Sequence, residues 1–324
     1  MATAEYDLTG SQLPVIDRPI DNTAMSAYMA CPREYALGMI LHRRKAEGGS
    51  AALTFGKAWH KALELHYKIG SSTTVEARRN AVQLGVQMHW GDGHESVDDY
   101  RTLQRVFLDY EAYIKEWGEP SLESGKTVGW PTAPLIEMAT NAQGEGLLHP
   151  WAGKIDRVIE LNGLLYIEDH KTTSRLDKNY FKQFELSNQM KGYTYLGRQL
   201  LPGRKIAGVR INLSHVLTNK TAFHRELFTY TDADIAEWVG QMNLWFKRLG
   251  KDVELYLELL EQGWDSVSAI MAIFPAHFGD NGCSRKFGMC QYHEVCSVSP
   301  ALRGRMLEAN FEERPWNPLE VDDE

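Results

Sequence analysis

No run of about 18 apolar residues occurs anywhere in the chain, so no segment is expected to cross a membrane as a helix. The first nineteen residues lack a basic stretch followed by an apolar one, so no signal peptide is expected. Cysteine is scarce, with four in 324 residues, and disulfides are not its expected use in a chain without a secretory signal. Positive charge is not in excess either. The net charge is -8 at pH 7, so a nucleic-acid partner would have to be met by a local basic lining and not by bulk charge. There is no internal repeat, no low-complexity segment and no helicase motif.

What is present is ordinary for a globular chain, 43% hydrophobic and 24% charged, and long enough to bury a sizeable core. Apolar periodicity predicts helices over 22–45, with either a break or a second helix start at Pro32, and over 56–69, 74–90 and 97–117. The last two carry Trp90, Tyr100, Phe107, Tyr110, Tyr113 and Trp117, which suit a core better than a base-stacking platform. Strands follow over 126–130, 134–140 and 147–151, then a hairpin, a helix over 177–201, strands over 206–217 and 222–230, and a long helical stretch over 232–262. This order predicts an α/β domain with a helical insertion. The basic run His42-Arg43-Arg44-Lys45 suits a helix C-terminus or a phosphate contact.

The most informative stretch is 153–173, where two apolar-rich runs flank Asn162-Gly163, a strong signal for a type I′ hairpin. A two-residue turn there sets Arg157 opposite Glu168, an attractive pair, and Val158 opposite Ile167. It also sets Asp156 opposite Asp169 and Lys154 opposite Lys171. Like charges so placed repel, and a divalent cation between the carboxylates would justify them, with Lys171 pointing the same way.

Three of the cysteines, Cys283, Cys290 and Cys296, follow a C-x6-C-x5-C spacing, and Cys31 lies far upstream. Four thiolates can hold zinc or an iron–sulfur cluster. The lack of a close pair favours iron–sulfur over zinc, with two disulfides or unligated thiols as the other readings.

Together these pieces resemble the PD-(D/E)xK nuclease superfamily, in particular its RecB-like branch with an iron–sulfur cluster. That branch includes AddB-type and CRISPR-adaptation nucleases and many phage exonucleases. The matching motifs keep the family's order. They are Ser26 through Cys31-Pro32, Gly56-x3-His60, Gly153-Lys-Ile-Asp156-Arg, Asp169-His-Lys171-Thr, Gln189-x3-Tyr193, and Phe274-Pro275 with the closing cysteines. One departure is the wide spacing of those cysteines, two of which stand only two residues apart in much of the family.

The resemblance implies a restriction-endonuclease-like core, a mixed central sheet flanked by helices, with Cys31, Cys283, Cys290 and Cys296 joining the N- and C-terminal segments around a [4Fe-4S] cluster. It implies a tail over 1–21, one nuclease domain over 22–300, and an acidic tail over 301–324. Within the domain, 57–120 is the helical insertion, 126–230 the catalytic sheet and 231–300 the C-terminal helices with the cysteines. His60, Asp156, Asp169 and the backbone carbonyl of His170 would bind Mg²⁺ or Mn²⁺. Lys171 would position or help deprotonate the attacking water, and Gln189 and Tyr193 would orient the phosphate or Lys171. Arg33, Arg43, Arg44, Arg285 and Lys286 are the residues nearest the cysteines that could meet DNA phosphates.

The implied activity is a metal-dependent DNA exonuclease acting on single strands or ends in recombination, repair or phage DNA metabolism. The setting would be the cytoplasm of a bacterium or phage-infected cell, and any recombinase, helicase or integrase partner would be a separate chain. The competing reading is a DNA-end-binding or structural module with little catalysis. The complete set of Asp156, Asp169 and Lys171 argues against it.

Overall fold

Asn162 and Gly163 both have positive φ, 51° and 77°, as a type I′ turn requires of its two central residues. That turn belongs to a computed structural model that describes residues 18–45, 50–70, 73–91, 99–118, 126–127, 136–142, 146–277, 279, 282–285 and 288–319. The first elements are β1 (Ile20–Asp21), α1 (Asn22–Ala30), α2 (Pro32–Tyr35) and β2 (Arg43–Arg44). Three helices follow, α3 (Ala51–Ile69), α4 (Val75–Trp90) and α5 (Leu103–Trp117). Next come strands β3 (Lys126–Thr127), β4 (Ile136–Ala142), β5 (Trp151–Leu161) and β6 (Leu164–Thr173). Helix α6 (Asn188–Leu200), strands β7 (Ile206–Val216) and β8 (Thr221–Thr229), and helices α7 (Asp232–Glu261) and α8 (Ser266–Ile273) complete the main elements. None of the helices among the described residues is long and apolar enough to cross a membrane.

The chain forms two units. One comprises Met1–Ala46, Asn141–Ala152 and Val239–Glu320, and the other Glu47–Thr140, Gly153–Trp238 and Val321–Glu324.

The second unit is built on a mixed sheet in the order β5-β6-β7-β8, with β3 and β4 also paired to β5. The β5–β6 ladder carries Val158↔Ile167 and Arg157↔Glu168, the register expected from the turn. β6 and β7 pair in parallel, from Leu165↔Ile206 to Thr173↔His215, and α6 supplies the crossover that parallel strands need. β8 returns antiparallel to β7.

Helices flank both faces of this sheet. Along α3, Phe55, Ala58, Trp59, Ala62, Leu63 and Tyr67 recur at helical spacing and pack with Val82 and Val86 of α4 and Val106, Tyr110 and Tyr113 of α5. Tyr100, Phe107 and Trp117 pack against the same cluster, so the aromatics of this region are core. Each helix of the trio starts on a hydroxyl cap: Ser50, Thr74 and Thr102 accept the amides of Leu53, Ala77 and Arg105 at 3.2 Å. On the opposite face α6 lies close to β5 because Gly153 has no side chain. A Cβ there would stand 2.8 Å from Tyr193 Cε1.

In the first unit Asp21 caps α1 by accepting the Ala24 amide at 2.8 Å, and β1 pairs in parallel with Trp151–Ala152. Cys31 is extended, which ends α1, and Pro32 opens α2 at its first position, where proline costs no hydrogen bond. The helical stretch over 22–45 is therefore interrupted at Cys31, and a second helix starts at Pro32 as that proline suggests. It closes in a π-helical turn over Ala36–Ile40, and His42, with φ of 54°, turns the chain into β2. Arg43–Arg44 is thus not a helix end but a strand paired with Glu312–Glu313, a partner too distant in sequence for local propensity to signal.

Candidate active site

The hairpin ladder ends at Arg157↔Glu168, and the next step toward the aspartates has a different link. Asp156 Oδ2 accepts the His170 amide at 2.7 Å, so a carboxylate takes the place of a backbone partner. Asp156 and Asp169 are both buried, at 6% and 2% exposure. Burial, followed by the charge of Asp169, pushes the Asp156 carboxyl well above the usual carboxylate range. His60 comes from α3, with Nδ1 at 3.5 Å from Asp156 Oδ2.

Lys171 lies on the same edge. Its Nζ is 2.9 Å from Asp169 Oδ1 and 2.7 Å from Oδ2. Burial alone would lower its pKa, but the Asp169 and Asp156 carboxylates reverse this and raise it, so the ammonium is retained. Nζ also donates to Gln189 Oε1 at 3.3 Å, and Gln189 Nε2 donates to Tyr193 Oη at 3.0 Å. Residues 189 and 193 share a helix face, which makes this relay possible. The structure therefore brings together His60, Asp156, Asp169, Lys171, Gln189 and Tyr193.

Among the described residues no group of three or more His, Cys, Asp or Glu side chains is gathered closely enough to hold a metal ion. The donor set nonetheless fits a hard divalent cation. Two buried carboxylates stand together, the charge of Asp169 adding to the cost of ionising Asp156, with an imidazole beside them and the Lys171 ammonium in direct contact.

A polar layer, of which the sequence showed the Arg157–Glu168 pair, lies on the other face of the hairpin. Glu168 is paired with Arg157 at 3.2 Å and with Arg210, and these arginines outweigh burial and lower its pKa to about 2. Asn212 Nδ2 contacts His170 Nδ1 at 3.0 Å and donates to Tyr113 Oη at 2.7 Å, which meets Tyr67 Oη at 2.7 Å. Arg225 donates to Tyr113 at 2.9 Å and lies over the Trp117 ring. Burial pushes the His170 imidazole well below its ordinary pKa, so it is neutral. One further signal was available. Arg210, Asn212 and Ser214 alternate with Val209, Ile211 and Leu213 along β7, a period-two polar face that a buried parallel strand needs only if something polar waits there.

In the first unit the cysteine segments converge. A short hairpin, Ser284–Arg285 against Gly288–Met289, lets the Cys290 amide donate to the Cys283 carbonyl at 2.7 Å. The Cys296 amide donates to the Tyr292 carbonyl at 2.9 Å. Burial raises the Cys296 thiol, which also feels the charges of Cys31 and Cys283. None of the four cysteines is in a disulfide.

The basic residues near the cysteines have varied surroundings. Arg33 is buried, with Nε donating to the Phe274 carbonyl at 3.1 Å and Nη2 to the Met271 carbonyl at 3.2 Å, so its guanidinium ties α2 to α8. The Arg44 guanidinium lies 4.7 Å over the Trp316 ring. The carbonyl of Arg43 accepts from the Tyr292 hydroxyl. Arg285 is on the short hairpin, and Lys286 is outside the described residues.

No single characterised protein matches the sequence at a significant level. The family model of the PD-(D/E)XK nuclease superfamily, however, matches residues 22–297. Because that match takes in the hairpin aspartates, the lysine and the cysteine segments over most of the sequence, the chain belongs to the PD-(D/E)XK nuclease superfamily.

Proposed function

We propose that the protein is a metal-dependent DNA exonuclease of the RecB-like branch, acting on single strands or DNA ends in recombination, repair or phage DNA metabolism. The observation that carries the reading is the pair of buried, mutually repelling carboxylates, Asp156 and Asp169, with Lys171 held at 2.7 Å from the second of them. Mg²⁺ or Mn²⁺ would be held by Asp156, Asp169, His60 and the His170 carbonyl, and would supply Lewis acidity toward the phosphodiester.

The side chains divide the remaining work. Lys171 keeps its proton, which suits it to offsetting charge that develops on the phosphate and orienting water more than to acting as a base. Gln189 and Tyr193 set its direction. The neutral His170 ring, held by Asn212, steadies the peptide whose amide binds Asp156.

A [4Fe-4S] cluster on Cys31, Cys283, Cys290 and Cys296 would staple the segments of the first unit. The lack of a disulfide at any of the four and the Cys283–Cys290 backbone bond support that reading. The test of function is incubation of end-labelled single-stranded and duplex DNA with Mn²⁺ or Mg²⁺. Stepwise shortening from an end is expected, and intact DNA under both metals would overturn the proposal. Cleavage of a covalently closed single-stranded circle as fast as a linear strand would overturn the exonuclease assignment.

A further inference from the structure

Between Thr173, two residues past Lys171, and Asn188, one residue before Gln189, the chain runs out through Ser174–Ser187 and returns. Because Lys171 and Gln189 are hydrogen-bonded, both ends of this loop are pinned at the proposed catalytic lysine. Its base is rigid. Phe184 is buried, its ring lies 5.8 Å from Phe228 of β8, and its carbonyl accepts the Tyr230 hydroxyl. Thr173 Oγ1 closes the exit by bonding both the carbonyl and the amide of Arg175.

On this base the loop exposes Arg175, Lys178 and Lys182. None of the three has an ion-pair partner among the described residues. Two acids share the loop. Asp177 is spent on the Asn179 amide at 2.7 Å, and Glu185 is exposed. Tyr180 is partly exposed, packs edge-on against Phe181 and Phe184, and feels the charges of Lys171 and Asp169. Three unpaired cations, with an aromatic ring between two of them and beside the reacting lysine, match a backbone of phosphates and a base free to stack. A base inside a duplex has no free face for such a ring.

We infer that the loop Ser174–Ser187 is a binding surface for single-stranded DNA, with Arg175, Lys178 and Lys182 on the phosphates and Tyr180 stacking a base next to the scissile position. This rests on the nuclease reading of the same site and names the form of its substrate. The test is fluorescence anisotropy of labelled oligo(dT) and of a blunt duplex in EDTA, so that nothing is cleaved, across a series of salt concentrations. For Arg175→Gln/Lys178→Gln/Lys182→Gln the slope of log K against log salt on oligo(dT) should fall by about 2, at roughly 0.7 per lost phosphate contact. Tyr180→Ala should weaken oligo(dT) binding about 5- to 150-fold, the range for one stacked base, and Tyr180→Phe should not. Glu185→Gln, which keeps the cations and removes a repelling charge, should bind more tightly.

An unchanged slope in the triple variant, or no gain in Glu185→Gln should the triple variant fail to fold, would overturn the inference. An equal loss on the duplex would overturn its single-strand form. A wild type that binds steeply but cleaves nothing would count against the nuclease reading and leave this surface standing, whereas cleavage with an unchanged slope would do the opposite.

Discussion

Lys171 Nζ donates to Gln189 Oε1 across 3.3 Å, joining the motif strand β6 to the second residue of α6. Asp169 fixes the ammonium from one side and the Gln189–Tyr193 pair steers it from the other, so the lysine has one direction and not a cone of them.

Removing the lysine or its carboxylate should abolish the chemistry and spare binding. Lys171→Ala and Asp169→Asn are expected to cut single-strand at least about 100-fold more slowly, the cost of deleting one group that stabilises transition-state charge. Cleavage is followed on labelled oligonucleotide with Mn²⁺, and binding in EDTA. Variant rates equal to wild type would remove the site from this hairpin.

Gln189→Ala should lower kcat about tenfold and leave KM unchanged, since a single steering hydrogen bond is worth about 1.4 kcal/mol in the transition state. Tyr193→Phe, which loses the bond to Gln189 Nε2 but leaves Gln189 Oε1 on Lys171, should cost less. Steady-state kinetics separate the two parameters, and a change confined to KM would make these residues substrate binders instead.

Gly153→Ala places a methyl group 2.8 Å from Tyr193 Cε1 and 3.1 Å from Leu196 Cδ1. Overpacking of this kind costs about 1–3 kcal/mol. Urea denaturation should show that loss, and cleavage should slow with it because α6 carries Gln189.

His66 is buried, and burial lowers its pKa to about 3 from 6.5. Above pH 6.5 it is neutral in folded and unfolded chains alike and contributes no pH dependence. Below that, the unfolded chain takes up a proton that the folded one refuses, so stability falls by about 1.4 kcal/mol per pH unit down to about pH 3. Glu168, lowered from 4.5 to about 2, adds a second loss between those values as acid protonates the unfolded chain first. Denaturant midpoints at pH 7 and pH 5 check the histidine, and His66→Gln should make the profile shallower while the buried His170 keeps a loss of the same sign.

Protein purified without oxygen should be brown and contain iron and sulfide, and Cys290→Ser should be colourless. Stoichiometric zinc in a colourless wild type would replace the cluster with a structural zinc site.

Much of the hairpin was legible because Asn162-Gly163 is a local signal, and it carried Arg157↔Glu168 and Val158↔Ile167 with it. The Asp156–Asp169 step was not, since the Asp156 carboxylate takes the His170 amide, a choice that residue spacing does not encode. A helix was expected over 177–201, but α6 starts only at Asn188, because Ser187 caps it and Phe184 is drawn into the core ahead of it. The Tyr67–Tyr113–Asn212–Arg225 layer draws on four elements, so no single window of sequence contains it.

The parallel pairing of β6 with β7 also constrains how the chain emerges during synthesis. The hairpin can close as soon as β6 is made, but the outer edge of β6 stays open until the chain has passed through α6 and delivered Ile206–Val216. An open strand edge invites pairing with other chains. The middle of that edge is Glu168-Asp169-His170-Lys171, four polar residues in a row, which is the kind of sequence that deters such pairing. Asp169 and Lys171, proposed for hydrolysis, thus also place charge on a strand edge that is open until β7 is made.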